Sequence, residues 1–327
     1  MRKLVYSASA AAIAIGFAAF AQTKPAGQTK SLSHAIHAVE DLDTTLAFYR
    51  DVFGINGTAQ DFANAAVPIL TNAPGVTLRL SMVTLPGGTR FELTHFKGPE
   101  RKPGRAKYTD PGASSLVLHV TGLDELVAKA KAAKAEIVTT GGAPVTSNGR
   151  TIVLRDPDGY FLQLVEAGPG PGAVQRVTLA VTMENADATK NFYTGMMGID
   201  LEGAPAFKKD ANFAKLIGAP ADVEFRTLTG NLPGATPTQI VFTEFRGVPR
   251  AKFHLRVRDP GAPALCIQVT NIQGMYDQMK AAGANFISQD GKLVDFGGGT
   301  TNIFVEDPNG LNIEIFERSG TPKGKVK

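Results

Sequence analysis

LRDPDGYFLQLVE, residues 154–166, returns almost unchanged as FVEDPNGLNIEIFE, residues 304–317. Both runs read as two strands joined by a tight turn, with proline at its first corner and glycine taking the left-handed one. Upstream, AFYRDVFGI from Ala47 returns as NFYTGMMGI from Asn191, and TDPGASSLVLHV returns as RDPGAPALCIQV. Through the middle of the unit the offset is constant at 149 residues, carrying Phe96 to Phe245, Asp110 to Asp259 and Val120 to Val269. A period that long is a whole domain, far beyond the roughly 20–50 residues of a solenoid repeat. The chain of 327 residues is therefore a tandem duplication, and differences between its copies separate fold from chemistry.

Each copy opens with a strand, Ser33 to Val39 or Arg176 to Thr182, followed by a helix whose apolar residues Leu42, Leu46, Tyr49 and Val52 fall at helical spacing. Gly54 and Gly198 are placed to end these helices. Strand-like runs follow at Thr77 to Thr84 and Arg90 to Phe96. The order then restarts, with a strand at Ser115 to Val120, a helix from Leu123 to Ala133 and the closing hairpin. Each copy is thus a pair of strand–helix–strands modules, an α+β arrangement. The copies are read as domains at 32–167 and 174–318, with the Gly/Pro-rich run Ala167 to Gln175 as the boundary.

Met1 to Ala21 reads as a secretory signal. Arg2 and Lys3 precede an apolar stretch, which is shorter than the ~20 residues of a spanning helix, and Ala19-Phe20-Ala21 offers a cleavage site. The mature protein is expected to be exported, periplasmic or secreted, with no membrane anchor after cleavage. One cysteine, Cys266, rules out an internal disulfide, and its sequence neighbours suggest a packed thiol. The formal charge of +4 is dispersed, which argues against nucleic acid as a partner. No Gly-rich phosphate loop is visible.

The order of elements, with HAIHAVEDLDTTLAFYRDVFGI from His34, FELTHF from Phe91 and LRDPDGYFLQLVE from Leu154, resembles the vicinal oxygen chelate superfamily. That group contains glyoxalase I, bleomycin-resistance proteins, fosfomycin-resistance enzymes and extradiol dioxygenases. The resemblance implies that two βαβββ modules curl into a sheet cupped around a cavity. It also implies a divalent metal, held by one residue from the first strand and one from a late strand of each module.

In the first copy those positions are filled by His34, Glu92, Ser115 and Gln163. Parity along the strands places Gln163 with Phe161 and Val165, Glu92 with Thr94, and His119 with Ser115; His37 and His95 fall on the opposite faces. His119 cannot stand in for Ser115 as a ligand, because four residues along a strand span about 13 Å. It and Ser115 are assigned to substrate. His34, Glu92 and Gln163 are the expected metal set, with Glu92 as ligand or base. In the second copy the positions read as Arg176, Val241, Ala264 and Glu314. A guanidinium cannot bind metal, so Arg176 and Glu314 are expected to pair in a metal-free second domain.

Three readings of function stay open: a metal-dependent lyase or isomerase acting on a small molecule, a metal-free small-molecule-binding protein, and a scaffold for a partner. Extradiol cleavage is disfavoured, since two histidines and one carboxylate do not converge. The substrate, the metal and the oligomeric state are left open.

Overall fold

The computed structural model describes residues 24–203 and 206–319; the expected signal, 1–21, lies outside them. Four modules follow one another: 28–97, 114–166, 174–246 and 263–318. Their elements form where local chemistry directs. Asp41 accepts a hydrogen bond from the Thr44 N–H and caps helix Leu42–Phe53, and Asn185 caps helix Ala186–Lys190 in the same way through Ala188. Each such cap contributes about 1 kcal/mol. Gly54 ends the first helix in the left-handed region, at φ 69°, where a Cβ would be strained. The strand Thr77–Thr84 has the expected bounds, and Arg90–Lys97, Ser114–Val120 and helix Leu123–Ala132 differ from expectation by one residue.

The modules assemble into two nine-stranded mixed sheets, and each sheet takes one module from each copy. In the first sheet, strand Gln28–Ala38 of the first module runs antiparallel to Pro263–Thr270 of the fourth, with His34 opposite Cys266 and Ile36 opposite Ala264. In the second sheet, Ser114–Val120 of the second module runs antiparallel to Val174–Met183 of the third, with Ser115 opposite Ala180 and Val117 opposite Thr178. The α+β duplication with curved two-module sheets is as the sequence implies. The pairing of modules across copies is new, and it redistributes every site residue. The Gly/Pro-rich run is not a separator between bodies. It connects strands Phe161–Glu166 and Val174–Met183 of one sheet, which flank Ser114–Val120 on either side, and Val174 and Gln175 are already strand.

A single apolar core lies behind both sheets. Leu42, Tyr49 and Val52 from the first helix, Leu123 and Leu126 from the second, and Tyr193 and Met275 from the helices of the second copy are buried there with Phe91, Leu118, Phe242 and Ile313 from the strands. Two further clusters line the opposite, concave faces. One, with Val67, Leu70, Leu78, Phe96 and Phe304, covers part of the first sheet; the other, with Phe161, Ile217, Phe225 and Phe245, covers part of the second.

The Asp-Pro turns fasten one sheet to the other. In the turn 156–159, Asp156 Oδ1 accepts the N–H groups of Asp158 and Tyr160, while Oδ2 accepts the Tyr49 hydroxyl at 3.2 Å. Asp158 accepts the Glu40 N–H at 2.7 Å and the Thr45 hydroxyl at 2.6 Å. The second copy repeats the device: Tyr193 donates to Asp307, and the Glu184 N–H and Thr189 hydroxyl donate to Asn309. The first copy alone adds a histidine. His37 is fully buried, with Nε2 3.0 Å from Asp156 Oδ2 and 4.0 Å from Asp158 Oδ2, and its ring packs in a three-ring cluster with Phe91 and Tyr160. Burial alone would lower its pKa, but the two carboxylates outweigh it and the net shift is upward. The matching position in the second copy is Val181, and there the second carboxylate has become Asn309. The histidine and the extra carboxylate are thus present together in one copy and absent together in the other.

Candidate metal centre

Three adjacent strands of the first sheet build the site. His34 faces Cys266 across one strand pair, and Cys266 faces Glu314 across the next. Their side chains share the concave face, and one donor atom from each lies within 4.8 Å of the others. Glu92 joins from the strand on the other side of His34, with Oε2 3.4 Å from His34 Nε2. The His34 and Glu92 side chains keep 13% and 15% of their exposure, so solvent still reaches this edge of the cluster.

Neighbouring polar groups aim these donors. The Ser33 hydroxyl is 3.0 Å from His34 Nδ1, which leaves Nε2 directed at Glu92. The Thr94 hydroxyl donates to Glu92 at 2.5 Å, and Asn302 Nδ2 donates to Glu314 at 2.6 Å. Burial, with a smaller contribution from Arg90, lowers the His34 pKa to about 4, so its imidazole is neutral and its lone pair available. Burial also pushes Glu92 up to about 7, against the pull of Thr94 and reinforced by the nearby Glu314, and raises Glu314 as well. The His34–Glu92 contact is therefore not an ion pair over most of the acidic range. Glu92 and Glu314 share a face of the sheet with the strands of His34 and Cys266 between them; each disfavours the other as an anion, and a divalent cation between them would remove that conflict. His34 and Glu314, with donor atoms within 4.8 Å, and Glu92 beside His34 offer the imidazole and carboxylate donors that suit a borderline divalent ion.

Several assignments made from sequence need correction. Gln163 does not join His34 and Glu92. It is in the second sheet, where it accepts from Tyr108 at 3.3 Å and faces Thr151 at 3.4 Å. Ser115 and His119 are on that sheet too, away from the donor cluster. Arg176 and Glu314 do not pair, because the exchange of modules puts them in different sheets. Arg176 instead lies against the His119 ring, with Nη2 3.0 Å from Nε2 and 3.3 Å from Nδ1. Nor is Arg176 the counterpart of His34. The equivalent contacts of Glu40 and Glu184, Thr45 and Thr189, and Tyr49 and Tyr193 all fall at one offset, and that offset carries His34 to Thr178. The positions matching His34, Glu92, Cys266 and Glu314 in the second sheet are thus Thr178, Val241, Val117 and Gln163, which make no metal-binding set.

Sequence parity put His34 and Glu92 on a common face, and the strand register has them on one face of the first sheet. Sequence reasoning put Glu314 on a ligand-type position but in the wrong company, and it passed over Cys266 and Asn302. The signal for Cys266 was its parity with Ala264; what was missing was the knowledge that His34 stands beside it.

Residues 31–164 and 175–315 each match the model of the glyoxalase/bleomycin resistance protein/dioxygenase superfamily. The chain belongs to that superfamily. Among curated relatives, lactoylglutathione lyase of Oryza sativa subsp. japonica is 27% identical over 180 residues, covering 54% of this chain and 56% of that one. The corresponding lyase of Arabidopsis thaliana is 27% identical over 188 residues, covering 54% and 58%. The chain thus spans little more than half the length of these relatives. Among solved structures, glyoxalase I from Zea mays superposes with a TM-score of 0.56 at 18% identity, covering 89% of this superfamily member and 93% of the maize chain. At that identity the likeness concerns the fold alone. Among the described residues, no helix is long and apolar enough to cross a membrane.

Proposed function

We propose that this protein is a metal-dependent lyase or isomerase of glyoxalase type, acting on a small molecule at the concave face of the first sheet. The observation that carries the reading is that donor atoms of His34 and Glu314, from different copies, lie within 4.8 Å of each other on one sheet face, with Glu92 3.4 Å from His34. The names of the lactoylglutathione lyases among its relatives favour this reaction class over ring cleavage, as does a donor set with one histidine and two carboxylates. A divalent ion bound there would supply Lewis-acid polarisation of adjacent substrate oxygens. The chain's own residues do the rest. His34, fixed by Ser33, and Glu314, fixed by Asn302, would hold the ion. Glu92, with Thr94 on one oxygen and the other beside His34, would be the base that takes a proton from a substrate carbon and returns it to the neighbouring one.

The second sheet supports a different role. Its matching face offers Thr178, Gln163 and Arg176 without a donor set, which suits holding a small molecule without metal. Export rests on residues 1–21 and is tested by sequencing the amino terminus of protein recovered outside the cytoplasm. The function is tested by metal analysis of protein purified without chelator and reloaded with Zn, Mn, Fe or Ni, followed by a screen of α-oxo and α-hydroxy carbonyl substrates. About one metal per chain, lost in His34→Ala together with turnover, is expected. Full metal content in His34→Ala, or no uptake under any loading, would overturn it.

A further inference from the structure

We propose that Cys266 is a fourth protein donor of the first-sheet site, a thiolate that biases it toward zinc and other borderline ions and away from magnesium and manganese. The proposal rests on the metal reading above and goes beyond it. Cys266 occupies the middle strand of the row, with His34 as its cross-strand partner on one side and Glu314 on the other. Because neighbouring strands are about 4.8 Å apart, a donor in the middle strand is the best placed of the three to share an ion with both flanks, and the three donor atoms do lie within 4.8 Å of one another. The residue two positions earlier on the same face, where the resemblance would put a ligand, is Ala264, which has no donor. The site therefore lacks one ligand unless Cys266 supplies it.

A second observation comes from the other copy. Where the second sheet has lost its imidazole and carboxylates, the position of Cys266 is Val117. A thiol kept only for its apolar bulk would have no reason to vanish together with the donors. Cys266 is buried, and the Ser33 hydroxyl and Glu314 carboxyl flank its sulfur, so it contacts the same groups that orient His34 and the ion. Coordination removes the thiol proton, which leaves to solvent as the ion enters. A sulfur ligand selects softer ions, and the cation in turn stabilises the thiolate.

Cobalt(II) reports the sulfur directly. Mature wild-type protein titrated with cobalt is expected to bind about one ion per chain and to develop a thiolate-to-cobalt charge-transfer band in the near ultraviolet. Cys266→Ala should still bind cobalt through His34, Glu92 and Glu314, without the band, and its preference for zinc over manganese should fall by at least about 10-fold. Cys266→Ser, nearly isosteric, guards against a packing artefact: it should also lose the band while keeping the wild-type circular dichroism and melting temperature. Cobalt uptake by wild type with no such band, or an unchanged zinc preference in both variants, overturns the role of Cys266 and leaves the metal reading standing. No cobalt uptake by wild type overturns both.

Discussion

On its concave face the first sheet presents His34, Glu92, Cys266 and Glu314; at the matching positions the second sheet presents Thr178, Val241, Val117 and Gln163. Strand order, module pairing and turn chemistry are shared, so the scaffold does not account for the difference. Four substitutions on one face do. The supporting residues follow suit: Asn302, which holds Glu314, is matched by Thr151, whose hydroxyl donates to the Leu164 carbonyl and accepts from Gln163. The comparison teaches that duplication, followed by exchange of modules, lets each sheet draw on both copies. One sheet keeps the complete donor set and the other is free to diverge.

The largest expected effect tests that asymmetry directly. Glu314→Ala or His34→Ala should reduce metal affinity by more than ~100-fold, while Gln163→Ala and Ser115→Ala leave metal content at the wild-type level, as read by elemental analysis after dialysis. Equal losses from both sets would mean that the two sheets do not differ as described. Next comes the fastening between sheets. His37→Ala leaves two buried carboxylates without their counter-charge and should cost about 3–5 kcal/mol in urea unfolding. The pair His37→Val with Asp158→Asn, which copies the second unit, should cost clearly less than the sum of its single substitutions.

The same pair carries a pH signature. Because the folded-state pKa of His37 is raised above the ordinary histidine value, its contribution is fully present below about pH 6.5 and is lost as pH rises through the raised folded value. Wild type should therefore lose stability in that upper range relative to the double variant, measured as the difference in urea midpoints across pH; parallel profiles would remove the imidazolium. Asn302→Ala should weaken metal binding by roughly 10- to 100-fold as an outer-shell effect, against no change for Thr151→Ala. The smallest effect is expected for Arg176→Ala. Its partner is the His119 ring and not Glu314, so unfolding free energy should shift by no more than about 0.5 kcal/mol and metal content should stay constant.

Much of the fold was readable because its determinants are local. Strand Thr77–Thr84 and helix Leu123–Ala132 follow from side-chain periodicity, and the Asp-Pro hairpins from proline and glycine preferences that operate over four residues. The site was only half readable, for a corresponding reason. Parity assigned His34, Glu92 and Gln163 each to a concave face, but parity does not say which sheet. The offset between copies also changes along the chain, so extending it to the first strand by eye put Arg176 where Thr178 belongs.

By itself, then, the sequence determined the duplication, the α+β modules, the turns and the set of residues with side chains on the concave faces. Which modules share a sheet was decided only by the tertiary structure. The two copies carry near-equivalent strands, so pairing within a copy or between copies satisfies the same hydrogen bonds and buries similar apolar faces. What tips the choice is long-range: the short segment 167–173 keeps the second and third modules side by side, the longer segments 98–113 and 247–262 can cross between sheets, and the buried contacts of His37 and Tyr193 with the facing turns form once the sheets are stacked. That choice removed Gln163 from the donor set, brought Glu314 and Cys266 to His34, and so set where the chemistry resides.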